Sequence, residues 1–154
     1  KYTTKDIDFG NPGIKKNVYK VYITYKAENP SNVNVGFYVD GAREGDSNRN
    51  QFTGTNYATV SGYSNGSLSG TSNEWATAIL EPSTASDLRN IYSMKLVFEN
   101  LEGPTHKEFQ INDISIIYRA KGEKQEYMIG YPEILKVTMV ILQYIPLLEV
   151  LIYI

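Results

Sequence analysis

The chain has 154 residues, no cysteine and a formal net charge of −2. That length suits one domain with a real hydrophobic core, and interspersed charges of both signs leave no field that would gather nucleic acid or an anionic membrane. The lack of cysteine excludes disulfides, Cys-based zinc sites and thiol nucleophiles.

Thirteen tyrosines and twelve glycines, in a sequence also rich in Asn, Ser and Thr, favour pleated strands joined by tight turns, so the class expected is all-β. The chain opens at Lys1 with neither Met nor a charged-then-apolar leader, and is read as a piece of something longer. The segment Lys5–Ile14 is expected to be an entry strand or loop lying against a sheet edge.

The first clear element is Val18–Lys26, where Tyr19, Val21, Ile23 and Tyr25 alternate with Lys20, Tyr22, Thr24 and Lys26 as in a half-buried strand. Asn29-Pro30-Ser31-Asn32 is a turn cluster, followed by alternating Val33, Val35, Phe37 and Val39 up to Asp40-Gly41. This second strand is expected to pair with the first in a hairpin. From Ala42 to Asn73 the sequence is mostly Gly, Ser, Asn and Thr, with Phe52, Tyr57, Val60, Tyr63 and Leu68 as isolated anchors, so strands there should be short or irregular.

Asn73–Leu80 reads as a third long strand, with Trp75, Thr77 and Ile79 on one phase and Glu81-Pro82-Ser83 as its stop. Tyr92, Met94, Leu96 and Phe98 mark the inner face of the next. The last strand of the pattern, Glu108–Arg119, changes phase: Phe109 and Ile111 fall on one parity, Ile114, Ile116 and Tyr118 on the other. A one-residue slip of this kind predicts a β-bulge near Asn112-Asp113. Several strands with turns between them and no helical period predict a two-sheet antiparallel β-sandwich, jelly-roll-like, over residues 1–121.

Residues 122–154 form a separate apolar C-terminal tail with no Asn, Ser or Asp after Gly122. Lys136, Gln143, Pro146 and Glu149 interrupt its apolar run, which argues against a membrane span. Its β-branched content permits strands on either side of Pro146 or a partner interface. A third reading makes it the product of translation past a shifted frame, and such a run, if exposed, would be prone to aggregate.

Few residues carry chemistry. His106 is the single histidine, so no His-based triad or multi-His metal site assembles, and a solvated loop histidine is the simpler reading. Asp40, Glu44, Asp46, Glu74 and Asp87 could supply an acid pair for glycoside hydrolysis, yet turn positions explain most of them. Asp46-Ser47-Asn48-Arg49-Asn50 has the alternating oxygens of a calcium loop, but Gln51 stands where an EF-hand loop needs Gly, and Tyr57 where it needs Glu. Trp75 with Tyr57 and Tyr63 could form a sugar-stacking platform; against that, the phase shared with Ile79 puts Trp75 in the core. No catalytic, cofactor-binding or metal-binding residue is therefore assigned, and no cofactor.

Two segments, TKDIDFGNPGIKKNVYKVYITYK from Thr4 to Lys26, and Ile91–Leu96 together with Phe109–Arg119, resemble a domain found toward the C-terminus of tail and virion structural proteins of tailed bacteriophages. The resemblance spans Thr4 to Lys121. It implies a non-enzymatic β-sandwich in the virion that acts through contacts with other virion proteins or copies of itself, and it has no active-site residues to carry over. Such domains tend to stop shortly after the strand ending at Tyr118-Arg119, so the tail from Glu123 departs from the pattern. The alternative is a carbohydrate-binding sandwich for host-surface glycans or polysaccharide; nucleic acid and membrane are not expected partners.

Overall fold

A computed structural model describes residues 1–27, 33–45, 49–58, 66–100 and 109–122, and the backbone alone of 59, 133–137, 139–140 and 151–152. The strands are β1 (Tyr2–Thr3), β2 (Lys16–Ala27), β3 (Val33–Val39), β4 (Asn50–Thr55), β5 (Tyr57–Thr59), β6 (Gly66–Leu68), β7 (Ala76–Pro82), β8 (Met94–Asn100), β9 (Phe109–Ala120), β10 (Glu133–Val137), β11 (Met139–Val140) and β12 (Leu151–Ile152). No helix occurs among the described residues, as the composition implied.

The strands run antiparallel in the order β1-β8-β3-β4-β7-β2-β9-β10, with the β5–β6 hairpin attached to β4 and β11–β12 a separate pair. The sheet is strongly curled into a half-barrel. Its bend lies in β4: Asn50 and Gln51 pair with Phe37 and Gly36 of β3, whereas Phe52–Thr55 pair with Pro82–Ile79 of β7. One short strand thus belongs to both arms of the curl. Gly54 makes the hand-over possible, because its φ is +156° and a Cβ there would sit 1.9 Å from the Ile79 carbonyl oxygen.

The core fills the hollow of the curl. Val21, Ile23 and Tyr25 of β2, Ala78 and Leu80 of β7 and Ile114 and Ile116 of β9 line one arm; Val35 and Phe37 of β3 with Met94 and Leu96 of β8 line the other. Burying each such Val, Leu, Ile, Met or Phe contributes roughly 1.5–3 kcal/mol, so this row of inner side chains dominates the stability.

β2 and β9 are joined over eleven register pairs from Lys16–Ala120 to Ala27–Phe109, with two slips. Thr24 pairs with Asp113 and Tyr25 with Ile111, which leaves Asn112 as the extra residue: the bulge stands where the phase change in the sequence predicted it. The second slip was not legible. Val18 pairs with Tyr118 and Lys20 with Ile117, so Tyr19 is itself bulged out and is 42% exposed rather than part of the inner face. One bulge on each strand keeps both inner rows facing the core from end to end.

Three further expectations are corrected. β2 does not form a hairpin with β3; β2 lies between β7 and β9, while β3 lies between β8 and β4. The two strands lie on different arms and bring their apolar faces, Val21, Ile23 and Tyr25 on one and Val35 and Phe37 on the other, into the same core; the turn cluster at 29–32 lies outside the described residues. Trp75 is not core. β7 begins one residue later, and its register places Ala78 opposite Ile23 and Leu80 opposite Val21. Residues directly opposite share a face, so Ala78 and Leu80 turn inward, and Trp75, on the opposite parity, is 53% exposed. Tyr92 likewise precedes β8 and is 42% exposed.

The N-terminal segment does run along a sheet edge. Tyr2 and Thr3 pair with Phe98 and Val97, and Ile7 forms an isolated bridge to Met94. The tail also supplies a strand: β10 pairs with the outer edge of β9 from Glu133–Tyr118 to Val137–Ile114.

Candidate functional site

The most polar buried cluster lies at the bend. Asn34 of β3 is fully buried on the face turned away from the main core. The two N–H bonds of its Nδ2 are distributed over three acceptors, one N–H being shared: the Gly66 carbonyl at 2.6 Å, the Tyr57 hydroxyl at 2.9 Å and Gln51 Oε1 at 3.2 Å. Its Oδ1 accepts from Arg49 Nη2 at 2.5 Å, and Arg49 Nη1 donates to Glu99. The Arg49 side chain lies across Gly36, where a Cβ would meet it at 2.7 Å.

Tyr57 has a specific task there. Its hydroxyl donates to the Val35 carbonyl at 2.7 Å and accepts from the Val35 N–H at 3.2 Å. β4 pairs with β3 only at Gly36 and Phe37, so the edge of Val35 has lost its strand partner where β4 turns toward β7. The tyrosine hydroxyl replaces that partner and uses its donor and both lone pairs in doing so. Burial pushes the Tyr57 phenol up to about 12, against the bonds from Val35 and the charge of Arg49, which lower it. A phenol held neutral with all its bonding positions filled is a structural group and offers no base or nucleophile to a substrate. Among the described residues the Arg49 Nε is buried without a partner, as is Asp113 Oδ1 on β9.

A second buried polar group closes the N-terminal strap. Lys16 is fully buried at the start of β2, and its ammonium donates to the backbone carbonyls of Asp8 (2.7 Å), Tyr92 (3.0 Å) and Asn11. All three N–H bonds are used, which is what allows a lysine to be buried at all. Burial lowers its pKa, while the charges of Asp8 and Asp40 raise it.

The acidic candidates fall in separate turns. Asp40 has φ +52° after β3, and its Oδ1 accepts from the backbone N–H of Tyr92 (2.6 Å) and Ser93 (3.2 Å). Glu44 is exposed and paired with Lys1, whose hydrogen bond and charge hold its carboxyl below the usual range. Glu74 and Asp87 sit in backbone turns closed on Thr71 and Thr84. Among the described residues no group of three or more His, Asp or Glu lies together. Asp46 and His106 lie outside the described residues, as does most of the calcium-loop pattern.

The aromatic platform is not assembled from the expected residues. Trp75 is on the surface, Tyr57 is 8% exposed with its hydroxyl committed to Val35, and Tyr63 lies outside the described residues. Among the described residues the exposed aromatics are Tyr19, Trp75 and Tyr92, and Tyr92 carries the Lys15 ammonium 5.3 Å from its ring centroid. Sequence reasoning missed the Asn34–Arg49–Tyr57 cluster; an Asn between two inward valines was the one available signal. No family model, curated protein or solved structure matches the chain.

Proposed function

We propose that this chain is a non-enzymatic structural module of a tailed-bacteriophage tail or virion, acting through assembly contacts with other virion proteins or copies of itself. One observation carries this reading: the two segments that resemble such domains, far apart in sequence, are bonded into one unit. β2 from the first pairs with β9 from the second along its whole length, Ile7 bridges Met94, and Lys16 bridges Ile91. What the resemblance picks out is therefore a contiguous framework of main-chain ladders and inward apolar residues, as expected of a module whose function is to be rigid. Within this reading the half-barrel is a two-sheet sandwich of jelly-roll type, with β4 shared between a β1–β8–β3 sheet and a β7–β2–β9–β10 sheet.

Sedimentation velocity of the full chain across a concentration series tests the assembly reading. Concentration-dependent formation of a defined oligomer is expected; a monomer at every concentration that also fails to join other virion proteins would end it. An experimental structure with residues 33–39 facing residues 18–26 across the core would support the sandwich.

A second reading, a carbohydrate-binding module, is favoured by Trp75, which stands on the surface where the sequence pattern put it in the core. An exposed indole suits stacking on a sugar face. Glycan-array binding lost on Trp75→Ala would favour it.

A further inference from the structure

The ends of β2 and β9 and the loop before β8 converge on one patch. Lys121 donates its backbone N–H to the Lys15 carbonyl at 2.7 Å, Asn17 pairs with Arg119, and the Asn90 N–H donates to Asn17 Oδ1 at 3.0 Å. The Lys121 ammonium bonds Asn90 Oδ1. Inward-facing Lys16, Val18, Tyr118 and Ala120 alternate with outward-facing Lys15, Asn17, Arg119 and Lys121. Arg89 is exposed next to Asn90.

Four cations, Lys15, Arg89, Arg119 and Lys121, are thereby gathered on one small surface, and none of them is in an ion pair among the described residues. Lys1, Lys20 and Arg49 each have a carboxylate partner, while Lys5, Lys26, Arg43 and Lys95 are, like the four, outside any ion pair among the described residues; what sets the four apart is their proximity. The chain as a whole is acidic, so this concentration of unpaired positive charge is a local feature and not a reflection of composition. Two partly exposed tyrosines adjoin it: Tyr92, under the Lys15 ammonium, and Tyr19, bulged outward two residues beyond Asn17.

We propose that this patch binds a carboxylate-bearing polysaccharide. Each acidic sugar would place its carboxylate among the four cations, with the asparagine amides and tyrosine faces meeting hydroxyls and ring C–H groups. One feature favours an acidic glycan over nucleic acid: the groups flanking the cations are tyrosines and amides suited to the hydroxyls and C–H faces of sugar rings. The class of ligand, but not the surface, rests on the carbohydrate reading above.

The test uses the full chain in affinity electrophoresis against polygalacturonate, a neutral glucan and duplex DNA, at two salt concentrations. Retardation by polygalacturonate is expected, weakening with salt, with none by the neutral glucan and less by DNA. The variant Lys15→Gln/Arg89→Gln/Arg119→Gln removes three exposed charges and no described hydrogen bond; it should bind about tenfold more weakly. Lys5→Gln/Lys26→Gln/Lys95→Gln, which removes the same charge elsewhere, should bind as the wild type does. Equal loss in both variants would reduce the effect to net charge and overturn the proposal, as would equal retardation by DNA. Polygalacturonate binding abolished by Trp75→Ala but not by the patch variant would overturn the patch and leave the carbohydrate reading standing; no polygalacturonate retardation at all would end the patch, and no glycan binding of any kind the reading too.

Discussion

Along β2 and β9 eleven residue pairs hold two strands together, and the inner face is a row of Val, Ile and Tyr. Where β3 meets β4 there are two pairs, and the Val35 N–H and carbonyl and the Gly66 carbonyl are bonded instead by the side chains of Tyr57 and Asn34. The first region is held by repetition, with many equivalent bonds and contacts of which any one is a small share. The second depends on a few side chains, each satisfying a group that nothing else reaches. A curled sheet needs both kinds, because at the bend a strand must leave one neighbour before it has finished with the next.

The comparison is most directly broken at the hinge of β4. Gly54→Ala forces a Cβ onto the Ile79 carbonyl in a backbone conformation that L-residues avoid, and strain with overpacking is expected to cost about 4 kcal/mol, read as a lowered denaturant midpoint. In the repetitive region Ile116→Ala should cost about 3 kcal/mol by cavity formation, without shifting the slope of the unfolding transition. Were the two losses reversed in rank by a wide margin, the bend would not be the demanding point of the fold.

Tyr57→Phe isolates the side-chain bonding. It leaves the ring in place and strands the Val35 N–H and carbonyl and one bond from Asn34, for an expected loss of about 2 kcal/mol. A double-mutant cycle with Asn34→Ala should give a coupling of about 1 kcal/mol; additivity would mean that the two side chains act separately. The alkaline limb gives a second readout. The folded pKa is raised to about 12 from 10.0, so the neutral phenol's contribution is complete below pH 10 and is lost as pH rises through 12, to the extent of about 2–3 kcal/mol. Tyr25, also raised by burial, acts in the same direction and Lys16, lowered by burial, in the opposite one, so the measurement is the difference between wild type and Tyr57→Phe. That difference should shrink between pH 10 and 12.

The sequence disclosed the repetitive region well and the bend poorly. Alternation reveals which residues share a face, and a break in alternation reveals a bulge, as at Asn112. It cannot reveal a bulge whose extra residue happens to be apolar, as Tyr19 is, since the pattern then seems uninterrupted. Nor does it identify the partner of a strand: β2 and β3 looked like a hairpin because a turn separated them, while the choice of β7 and β9 was decided by burial across the curl. The Asn34–Arg49–Tyr57 cluster draws on three separate segments joined only in space. Bulky residues also misled, since the inner row of β7 begins with two alanines and the tryptophan just before it is exposed.

That reversal at β7 supplies the smallest expected effect. If Trp75 is a surface residue, 53% exposed, Trp75→Ala should change the unfolding free energy by no more than about 0.5 kcal/mol, and the indole fluorescence of the native protein should be quenched by added iodide. A loss of 2 kcal/mol or more together with a protected indole would mean that the surface is covered in solution. The concentration dependence of the quenching then distinguishes the cover: protection that grows with protein concentration identifies a second copy, as the assembly reading requires, whereas protection that is constant places the cover within the chain itself.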